Sequence, residues 1–287
     1  MKPLSGHTRP YAVLGHPIGH TLSPIMHNAA FTSLDMDAIY LAFDVAPDTL
    51  MPVLAAMKAM GFGGVNLTVP LKEVAFKGLT DLDETARRLG AVNTVRFTSD
   101  GMRGHNTDGP GFLTSIQESF GAPVAGKTLF VLGSGGAGRA TAIAAAGAGA
   151  KHLILADIDE ARSRGVANDI SKLAPHVVAE PIGTFPEDWA RRISEADLVV
   201  QATPIGMKAD DICPLPASAF KAGQWAFDLV YNRPETCFMR AAKEGGALAV
   251  NGLGMLLHQG AEAFTIWTGQ PAAIDVMRNA LQKALYG

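Results

Sequence analysis

Hydrophobic residues in the first third of the chain occur either in short runs or at helical spacing. A short apolar run bounded by turn residues predicts a strand, and apolar residues three or four apart predict a helix. One such helix opens at Ser23 and Pro24, a good N-cap followed by a residue suited to the first helical position. The predicted strands are residues 11–15, 39–45, 64–69, 91–97 and 102–106, and further helices are residues 48–60, 72–76 and 83–89.

Turn residues support several of these boundaries. Asp48 is a candidate cap for the second helix, which Gly61 would end. Gly90 follows a helical segment and is suited to the left-handed position beyond its last turn. Asp100 and Gly101 separate two strand-like runs and predict a hairpin.

The pattern changes after Asp108, where strands alternate regularly with helices. Such alternation implies parallel strand pairing with right-handed crossovers. The predicted strands are residues 128–132, 152–156, 198–201, 225–230 and 247–250, and the helices are residues 139–146, 159–173, 235–243, 255–268 and 272–285. We therefore predict an α/β protein with an N-terminal α/β domain and a dinucleotide-binding domain that begins near Gly109.

Composition excludes several classes of protein. The 287 residues suit two modest domains, and a formal net charge of −3 gives no argument for binding nucleic acid or an acidic membrane surface. Residues 1–10 lack the apolar segment of a signal peptide, and no apolar run approaches the roughly 18 residues of a membrane span. The two cysteines, Cys213 and Cys237, have no metal-ligand spacing, and such sparse usage suggests a reducing compartment. We expect a cytoplasmic protein without nucleic-acid or membrane partners.

A glycine-rich segment follows the first strand of the second domain. Gly133, Gly135 and Gly138 match the G-x-G-x-x-G pattern between a predicted strand and a helix. The first glycine permits a tight turn, the second admits a pyrophosphate to the backbone, and the third lets the helix pack on the strand. The alternative is a turn of small residues before a helix. We predict a dinucleotide site that comprises Gly133, Ser134, Gly135, Gly136, Ala137 and Gly138.

An acidic residue ends the next predicted strand. Asp157 lies 19 residues after Gly138, where a carboxylate can accept hydrogen bonds from the adenosine ribose and repel a 2′-phosphate. Asp157 therefore favours NAD over NADP, although NADP is not excluded. The alternative is a solvated Asp at a strand end. Arg162 and Arg164 follow on the helix and could still pair with a phosphate.

Three polar clusters occur in the N-terminal part. Thr21 and Ser23 place hydroxyls beside a helix N-terminus, which suits a carboxylate, although ordinary capping by Ser23 is the simpler interpretation. Asn66 and Thr68 would share one face of a strand, with Lys72 a turn beyond. The third cluster is residues 93–94 and 106–109, and an Asn-Thr-Asp-Gly run is by itself most often a turn.

Together these segments resemble the shikimate dehydrogenase family over nearly the whole chain. The matching segments are GHPIGHTLSPIMHN, NLTVPLKE, LGAVNTV, GHNTDGPGF, GSGGAGRA, ATPIGM, DLVYNRPET and NGLGMLLHQGAEAFTIWTG. The resemblance implies a substrate domain of residues 1–108, onto which the helices of residues 253–287 pack back. It also implies a Rossmann domain of residues 109–252, with the substrate in a cleft.

The resemblance also implies roles for individual residues. Lys72 and Asp108 match the family's paired catalytic residues, and Thr21 and Ser23 match hydroxyls that bind the substrate carboxylate. The other positions that match substrate contacts are Asn66, Thr68, Asn93, Tyr231 and Gln259. The positions that match the nicotinamide side of the cofactor site are Thr203, Met207, Gly252 and Met255.

The chain departs from the family pattern in three places. Thr21 stands where Ser is usual, and Gln201 stands where Asn commonly precedes Ala-Thr. Residues 157–159 are Asp-Ile-Asp where members that use NADP carry Asn-Arg-Thr, so the Arg that would hold the 2′-phosphate is absent. An acidic run at this position resembles the quinate/shikimate dehydrogenases that prefer NAD.

We predict a shikimate dehydrogenase, acting as a monomer or homodimer, that interconverts shikimate and 3-dehydroshikimate in aromatic amino acid biosynthesis. One alternative is an NAD-preferring quinate/shikimate dehydrogenase, and another is an inactive binding protein that senses nicotinamide nucleotides. The scattered histidines lack partners at metal-ligand spacing, so we predict structural histidines and no metal. They are His16, His20, His27, His105 and His258.

Overall fold

The computed structural model describes residues 2–287, which form two compact units. The first unit contains the residues up to Thr107 together with Leu257–Gly287, and the second is Asp108–Leu256. Each unit contains one six-stranded sheet. The predicted α/β class is therefore confirmed.

The first unit is built on a mixed sheet. Its strands are β1 (Arg9–Gly15), β2 (Ala38–Asp44), β3 (Gly64–Leu67), β4 (Asp81–Leu82), β5 (Thr94–Phe97) and β6 (Met102–His105). Their spatial order is β2-β1-β3-β5-β6-β4. β1 pairs in parallel with β2 and β3, whereas β5 is antiparallel to both β3 and β6. The antiparallel pair of β5 and β6 is the hairpin predicted at Asp100 and Gly101.

Four helices connect these strands. They are α1 (Ser23–Ser33), α2 (Leu50–Ala59), α3 (Leu71–Gly78) and α4 (Glu84–Leu89). Asp83 caps α4 by accepting the N–H of Ala86 at 2.8 Å, and Gly90 ends it at φ 62° as predicted. The predicted cap at Asp48 is wrong, because residues 47–49 form a 3₁₀ turn and place Thr49 at the N-cap of α2.

The second unit has an entirely parallel sheet. Its strands are β7 (Thr128–Leu132), β8 (His152–Ala156), β9 (Val178–Pro181), β10 (Leu198–Gln201), β11 (Trp225–Asp228) and β12 (Leu248–Val250). The order β12-β11-β10-β7-β8-β9 is that of a Rossmann sheet. The chain reverses direction across the sheet between β7 and β10, which is where such sheets bind ligands beyond the carboxyl ends of their strands.

Helices of the second unit connect the parallel strands. They are α5 (Asp108–Phe120), α6 (Gly136–Gly147), α7 (Glu160–Leu173), α8 (Pro186–Ile193) and α9 (Cys237–Glu244). α6 begins at Gly136 and not at Arg139, so the glycine segment itself supplies the first turn of the helix. Both faces of the sheet are covered, and the side chains of Phe130, Ile154 and Val199 are fully buried in its core.

Two C-terminal helices complete the chain. α10 (Leu253–Thr268) starts in the second unit and belongs to the first from Leu257 onwards, and α11 (Ile274–Tyr286) follows it. The Trp267 indole N–H of α10 donates to the carbonyl oxygen of Val95 in β5 at 3.1 Å. A side chain at Gly260 would collide with Met26 of α1, so this glycine permits close packing of the two helices. Within residues 2–287, no helix combines the length and hydropathy needed to cross a membrane.

Candidate active site

Polar side chains of the first unit collect at one edge of its sheet. β1 and β3 end at this edge because Leu14 pairs with Leu67 in parallel. β5 begins there and β6 ends there, because Thr94 lies opposite Asn66 on one side and His105 on the other. The mixed pairing thus brings together segments that the sequence separates by tens of residues.

Asn66 is at the centre of this edge and is 6% exposed. Its Oδ1 accepts the hydroxyl of Tyr40 at 2.6 Å. Its Nδ2 donates to the carbonyl oxygen of Asn93 at 3.2 Å and to Oγ1 of Thr94 at 3.0 Å. The amide orientation is therefore fixed, because one side faces a hydroxyl donor and the other faces two acceptors.

Asn93 extends the network to the segment before Asp108. Its Nδ2 donates to Oγ1 of Thr107 at 2.9 Å, and its Oδ1 accepts the N–H of Thr107 at 2.8 Å. Asn106 is anchored separately, through its Nδ2 to the carbonyl oxygen of Ala91 at 2.9 Å. The Asn-Thr-Asp-Gly run is thus not a solvated turn, since its first two residues are buried.

Thr21 and Ser23 lie at the start of α1. Their hydroxyl oxygens are 3.3 Å apart, and the Ser23 N–H points to Oγ1 of Thr21 at 3.4 Å. Capping by Ser23 is wrong, because Leu22 holds the N-cap position without a side-chain bond and Ser23 is the first helical residue. The Ser23 hydroxyl is therefore not used to cap α1.

Five further predicted ligands lie at the ends of elements or on helices. Lys72 is in the first turn of α3 and is half-buried, and Thr68 directly follows β3. Asp108 is the first residue of α5 and is 8% exposed. Gln259 is half-buried in α10, and burial raises the pKa of the Tyr231 hydroxyl. The roles of these side chains toward a substrate stay predictions.

The glycine segment of the second unit contains two kinds of glycine. Gly133 has φ 97°, and a Cβ there would lie 2.9 Å from the carbonyl carbon of Ala202. A Cβ on Gly138 would collide with the carbonyl oxygen of Gly133. Protein packing therefore requires these two glycines. A Cβ on Gly135 or Gly136 would meet no protein atom within 4 Å, so packing does not explain them.

The glycine segment has space beside its backbone and a polar side-chain atom without a partner, and both features suit a phosphate group. The Ser134 hydroxyl is buried and has no hydrogen-bond partner among the described residues. The backbone from Gly136 onwards starts α6, whose first N–H groups have no acceptor within the helix. Free N–H groups at a helix start attract phosphate oxygens, so residues 133–138 fit a dinucleotide pyrophosphate.

Asp157 follows β8 and holds this turn in place. Its Oδ2 accepts the N–H of Ser134 at 2.6 Å, and its Oδ1 accepts the N–H of Asp159 at 2.9 Å. The side chain is 6% exposed, so the alternative of a solvated Asp is wrong. Each oxygen has a remaining lone pair, and the carboxylate can still accept a ribose hydroxyl.

The surface after β8 is acidic. Asp159 caps α7, and Ile158 between the two acids is 84% exposed. Arg162 pairs with Asp159 at 3.3 Å, and Arg164 pairs with Glu160 at 2.6 Å. Both arginines that were candidates for a 2′-phosphate thus already face carboxylates.

Gln201 shapes the loop after β10. Its Nε2 donates to the carbonyl oxygens of Thr203 at 3.2 Å and Ile205 at 2.7 Å, and its Oε1 accepts the Thr203 N–H at 2.6 Å. The departure from Asn is therefore accommodated by a side chain that organises the loop. Met207 follows on this loop and is 47% exposed.

The last two predicted cofactor positions lie near the end of β11 and in α10. A Cβ on Gly252 would collide with the carbonyl oxygen of Leu229, and its N–H donates to the carbonyl oxygen of Val230 at 3.2 Å. Met255 lies in the first turn of α10 and is half-buried. Packing explains the glycine at Gly252, and the contacts of both residues with a nicotinamide stay predictions.

Three of the histidines are buried or lie beside a carboxylate. His27 is fully buried, and desolvation lowers its pKa to about 3. His16 Nδ1 lies 2.5 Å from Asp44, and His105 Nδ1 lies 2.9 Å from Asp83. Across residues 2–287, no three His, Cys, Asp or Glu side chains are grouped as metal ligands.

Comparison with known proteins decides the family. Two family models match: the shikimate dehydrogenase substrate binding domain over residues 13–95, and the shikimate 5′-dehydrogenase C-terminal domain over residues 252–282. A shikimate dehydrogenase (NADP(+)) from Moorella thermoacetica is 44% identical over 276 residues, which cover 96% of this chain and 92% of that protein. The chain belongs to the shikimate dehydrogenase family.

Solved structures of the shikimate dehydrogenase family have the same fold over their whole length. Shikimate 5-dehydrogenase from Listeria monocytogenes, in complex with shikimate and NAD, has a TM-score of 0.91 at 34% identity and covers 98% of this chain and 99% of that one. Quinate dehydrogenase from Corynebacterium glutamicum, in complex with NAD, has a TM-score of 0.88 at 30% identity, with 96% and 99% covered. The resemblance inferred from the sequence is confirmed.

The sequence did not single out Tyr40 as part of the polar edge. Tyr40 was interpreted only as part of an apolar strand, because a tyrosine in such a run normally packs in the core. No local pattern marks its hydroxyl, since its partner Asn66 is on another strand.

Proposed function

We propose that the protein catalyses reversible hydride transfer between a nicotinamide cofactor and C3 of shikimate. It is an oxidoreductase that acts on a CH–OH group, as its relatives over 96% of the chain are named. The observation that carries the proposal is the joint presence of the buried polar edge in the first unit and the phosphate-sized turn in the second. Each contains residues that the family motifs predict.

We assign substrate binding mainly to side chains of the first unit, together with Asp108 and Tyr231 of the second, and cofactor binding to residues 133–138 and other residues of the second unit. The proposed substrate ligands are Thr21, Ser23, Asn66, Thr68, Lys72, Asn93, Asp108, Tyr231 and Gln259. The proposed cofactor ligands are Gly133, Ser134, Gly135, Gly136, Ala137, Gly138, Asp157, Thr203, Met207, Gly252 and Met255. The bound nicotinamide supplies the hydride, and the chain supplies orientation and the proton.

Lys72 is the proposed acid and base. During reduction of the ketone, the Lys72 ammonium gives its proton to the oxygen on C3 as negative charge develops there, and in the reverse direction the amine takes that proton back. Asp108 orients Lys72 and accepts a hydrogen bond from the neighbouring ring hydroxyl. Its low exposure of 8% supports this role, because a shielded carboxylate holds its partners in a fixed geometry.

The substrate carboxylate is assigned to the start of α1. The hydroxyls of Thr21 and Ser23 lie side by side there, and the positive end of the helix dipole attracts an anion. The ring hydroxyls are assigned to the amides of Asn66 and Asn93. This arrangement recognises a small carboxylic acid that carries vicinal hydroxyl groups.

NAD is the proposed cofactor in preference to NADP. Asp157 follows β8 and accepts backbone N–H groups, so a 2′-phosphate would meet its negative charge. Arg162 and Arg164 pair with Asp159 and Glu160, so they are less available to a phosphate. The side chain at the intervening position is Ile158, which offers no donor to a phosphate. The NADP named for relatives makes this preference the sharpest point to test.

The test is an initial-rate assay that follows the absorbance of reduced nicotinamide, with shikimate and quinate each crossed with NAD and NADP. Shikimate turnover with a higher kcat/KM for NAD supports the whole proposal. A higher kcat/KM for NADP overturns the cofactor preference alone. No turnover in any pairing contradicts catalysis and leaves the inactive binding protein as the alternative.

The biosynthetic role favours the cytoplasm as the location. The proposed partners are small molecules, namely shikimate or 3-dehydroshikimate and the nicotinamide cofactor. A monomer or homodimer is the expected state.

A further inference from the structure

Tyr40 is held more firmly than its place in an edge strand requires. The imidazole of His27 stacks on its ring with centroids 4.3 Å apart and planes at 14°. The next residue, Asn28, bonds to its backbone from both ends: Nδ2 donates to the Tyr40 carbonyl oxygen at 2.9 Å, and Oδ1 accepts the Tyr40 N–H at 2.9 Å. Ring and backbone are thus both fixed by consecutive residues of α1.

The His27 contact is that of a neutral ring. Burial lowers the pKa of His27 to about 3, and neither of its nitrogens has a hydrogen-bond partner within residues 2–287. The imidazole therefore serves as a flat packing surface for Tyr40. Since Tyr40 is itself 0% exposed, its hydroxyl has little freedom to point elsewhere.

The Tyr40 hydroxyl contacts a proposed substrate ligand on another strand. It donates to Oδ1 of Asn66 on β3 at 2.6 Å. One buried hydroxyl thus supports the side chain assigned to the ring hydroxyls.

The position of the Asn66 amide depends on this hydroxyl. Its Nδ2 faces two acceptors, the Asn93 carbonyl and Thr94 Oγ1, which fix the direction in which the amide points. Without the Tyr40 donor, the buried Oδ1 would lose its hydrogen bond, at a cost that favours displacement of the whole side chain. A displaced amide would no longer lie where a substrate hydroxyl can bind it.

We propose that Tyr40 is a positioning residue for the substrate, because its hydroxyl holds the Asn66 amide in position. Tyr40 does not touch the substrate, since it is fully buried. The inference rests on the proposed function. The effect belongs to binding of the substrate in ground state and transition state alike, so it falls on KM and not on kcat.

The test is Tyr40→Phe, which removes one oxygen and keeps the ring. We expect the KM for shikimate to rise by roughly three- to tenfold, as for loss of one buried hydrogen bond. We expect kcat and the KM for the nicotinamide cofactor to change by less than about twofold, because Tyr40 acts only on the substrate side.

Tyr11→Phe is the matched control. Tyr11 lies on the adjacent strand β1, is 2% exposed, and packs against the same Trp267 as Tyr40 does. Its hydroxyl forms no hydrogen bond with any described residue. A role of Tyr40 in packing alone predicts equal effects of the two substitutions on KM, and that result would overturn the proposal.

A double-mutant cycle tests the route through Asn66. In the background of Asn66→Ala, Tyr40→Phe is expected to raise the KM for shikimate by less than about twofold, because the group that it orients is gone. Additive effects would overturn the proposal, as would a normal KM in Asn66→Ala alone. If Asn66→Ala does not fold, the same cycle is run with Asn66→Ser, which also removes the amide. Shikimate turnover by the unmodified protein is measured first, so failure of the proposed function is seen separately.

Discussion

The polar edge of the first unit and the glycine turn of the second differ in the kind of atoms that form them. The turn is made by backbone: φ 97° at Gly133, and contacts at Gly133 and Gly138 that leave no room for a Cβ. The edge is made by side chains, in which Tyr40 and Asn93 bond to partners on other elements. A backbone site depends on which positions are glycine, whereas a side-chain site depends on the whole network being satisfied.

This difference predicts how each site responds to a substitution. Removal of one side chain at the edge leaves its neighbours able to move and reduces affinity or rate by a limited factor. A Cβ at Gly133 or Gly138 of the glycine turn meets backbone atoms that cannot move without displacing strands. The exception at the edge is a residue that takes part in the chemical step.

Lys72→Ala should give the largest effect, because it removes the proposed proton donor. We expect kcat to fall by about 10²- to 10⁴-fold, the usual contribution of general acid–base catalysis, with the cofactor KM unchanged. Steady-state kinetics measures both. Lys77→Ala is the control, since Lys77 is exposed in the last turn of the same helix. A near-normal kcat in Lys72→Ala would remove Lys72 from the role.

Gly138→Ala tests the backbone site. Its Cβ would overlap the carbonyl oxygen of Gly133, so the turn or the start of α6 must shift. We expect the cofactor KM to rise by more than about tenfold and the melting temperature to fall by several degrees, as for other overpacked sites.

Gly165→Ala controls for the change of residue type. Gly165 lies in α7, and a Cβ there would meet nothing within 4 Å. A folded Gly138→Ala variant with normal cofactor KM would show that the turn tolerates a side chain, and the distinction between backbone and side-chain sites would then be lost.

Ile158→Arg tests the proposed preference for NAD over NADP. Ile158 is 84% exposed between Asp157 and Asp159, and a guanidinium there would face a 2′-phosphate. We expect kcat/KM for NADP to rise about tenfold, as for one charge-assisted hydrogen bond, while that for NAD changes little. Ile212→Arg, at a residue that is 87% exposed elsewhere in the same unit, is the control. Equal gains in both variants would show a general effect of charge.

The sequence predicted the second unit better than the first, and the reason is physical. Its strands alternate with helices, so parallel pairing follows from chain order, and the glycine pattern lies within six consecutive residues, 133–138. Even so, α5, β9 and α8 were missed. α5 begins with Asp108, Gly109 and Pro110, which are typical of a turn, and burial of Phe112 and Ile116 overrides that local preference.

The first unit shows what local patterns do not contain. The polar clusters were recognised, but the bonds from Asn66 to Tyr40 and from Asn93 to Thr107 depend on strand order. A mixed sheet allows many orders with the same strands. The caps predicted at Ser23 and Asp48 were wrong because each residue already lies inside a helical turn.

Glu262 gives the smallest expected effect and a test of stability. It lies in α10 near Asp83 and His105, and its pKa is raised from 4.5 to about 7 by burial and by the charge of Asp83, with His105 acting in the opposite direction. Between these two values, the unfolded chain is ionised there while the folded protein holds the proton. The folded state is therefore favoured below pH 4.5 and loses that stability as pH rises through about 7.

Glu262→Gln removes the ionisable group, so the variant should not lose this stability as pH rises. We expect the variant to gain stability relative to the unmodified protein as pH rises through about 7. The gain should be about 1 kcal/mol or less after allowance for solvent screening of a half-buried group. Urea unfolding of both proteins at a series of pH values measures it, with Glu73→Gln on the exposed face of α3 as the control. A stability difference that does not change with pH would show that the carboxyl of Glu262 stays ionised in the folded first unit.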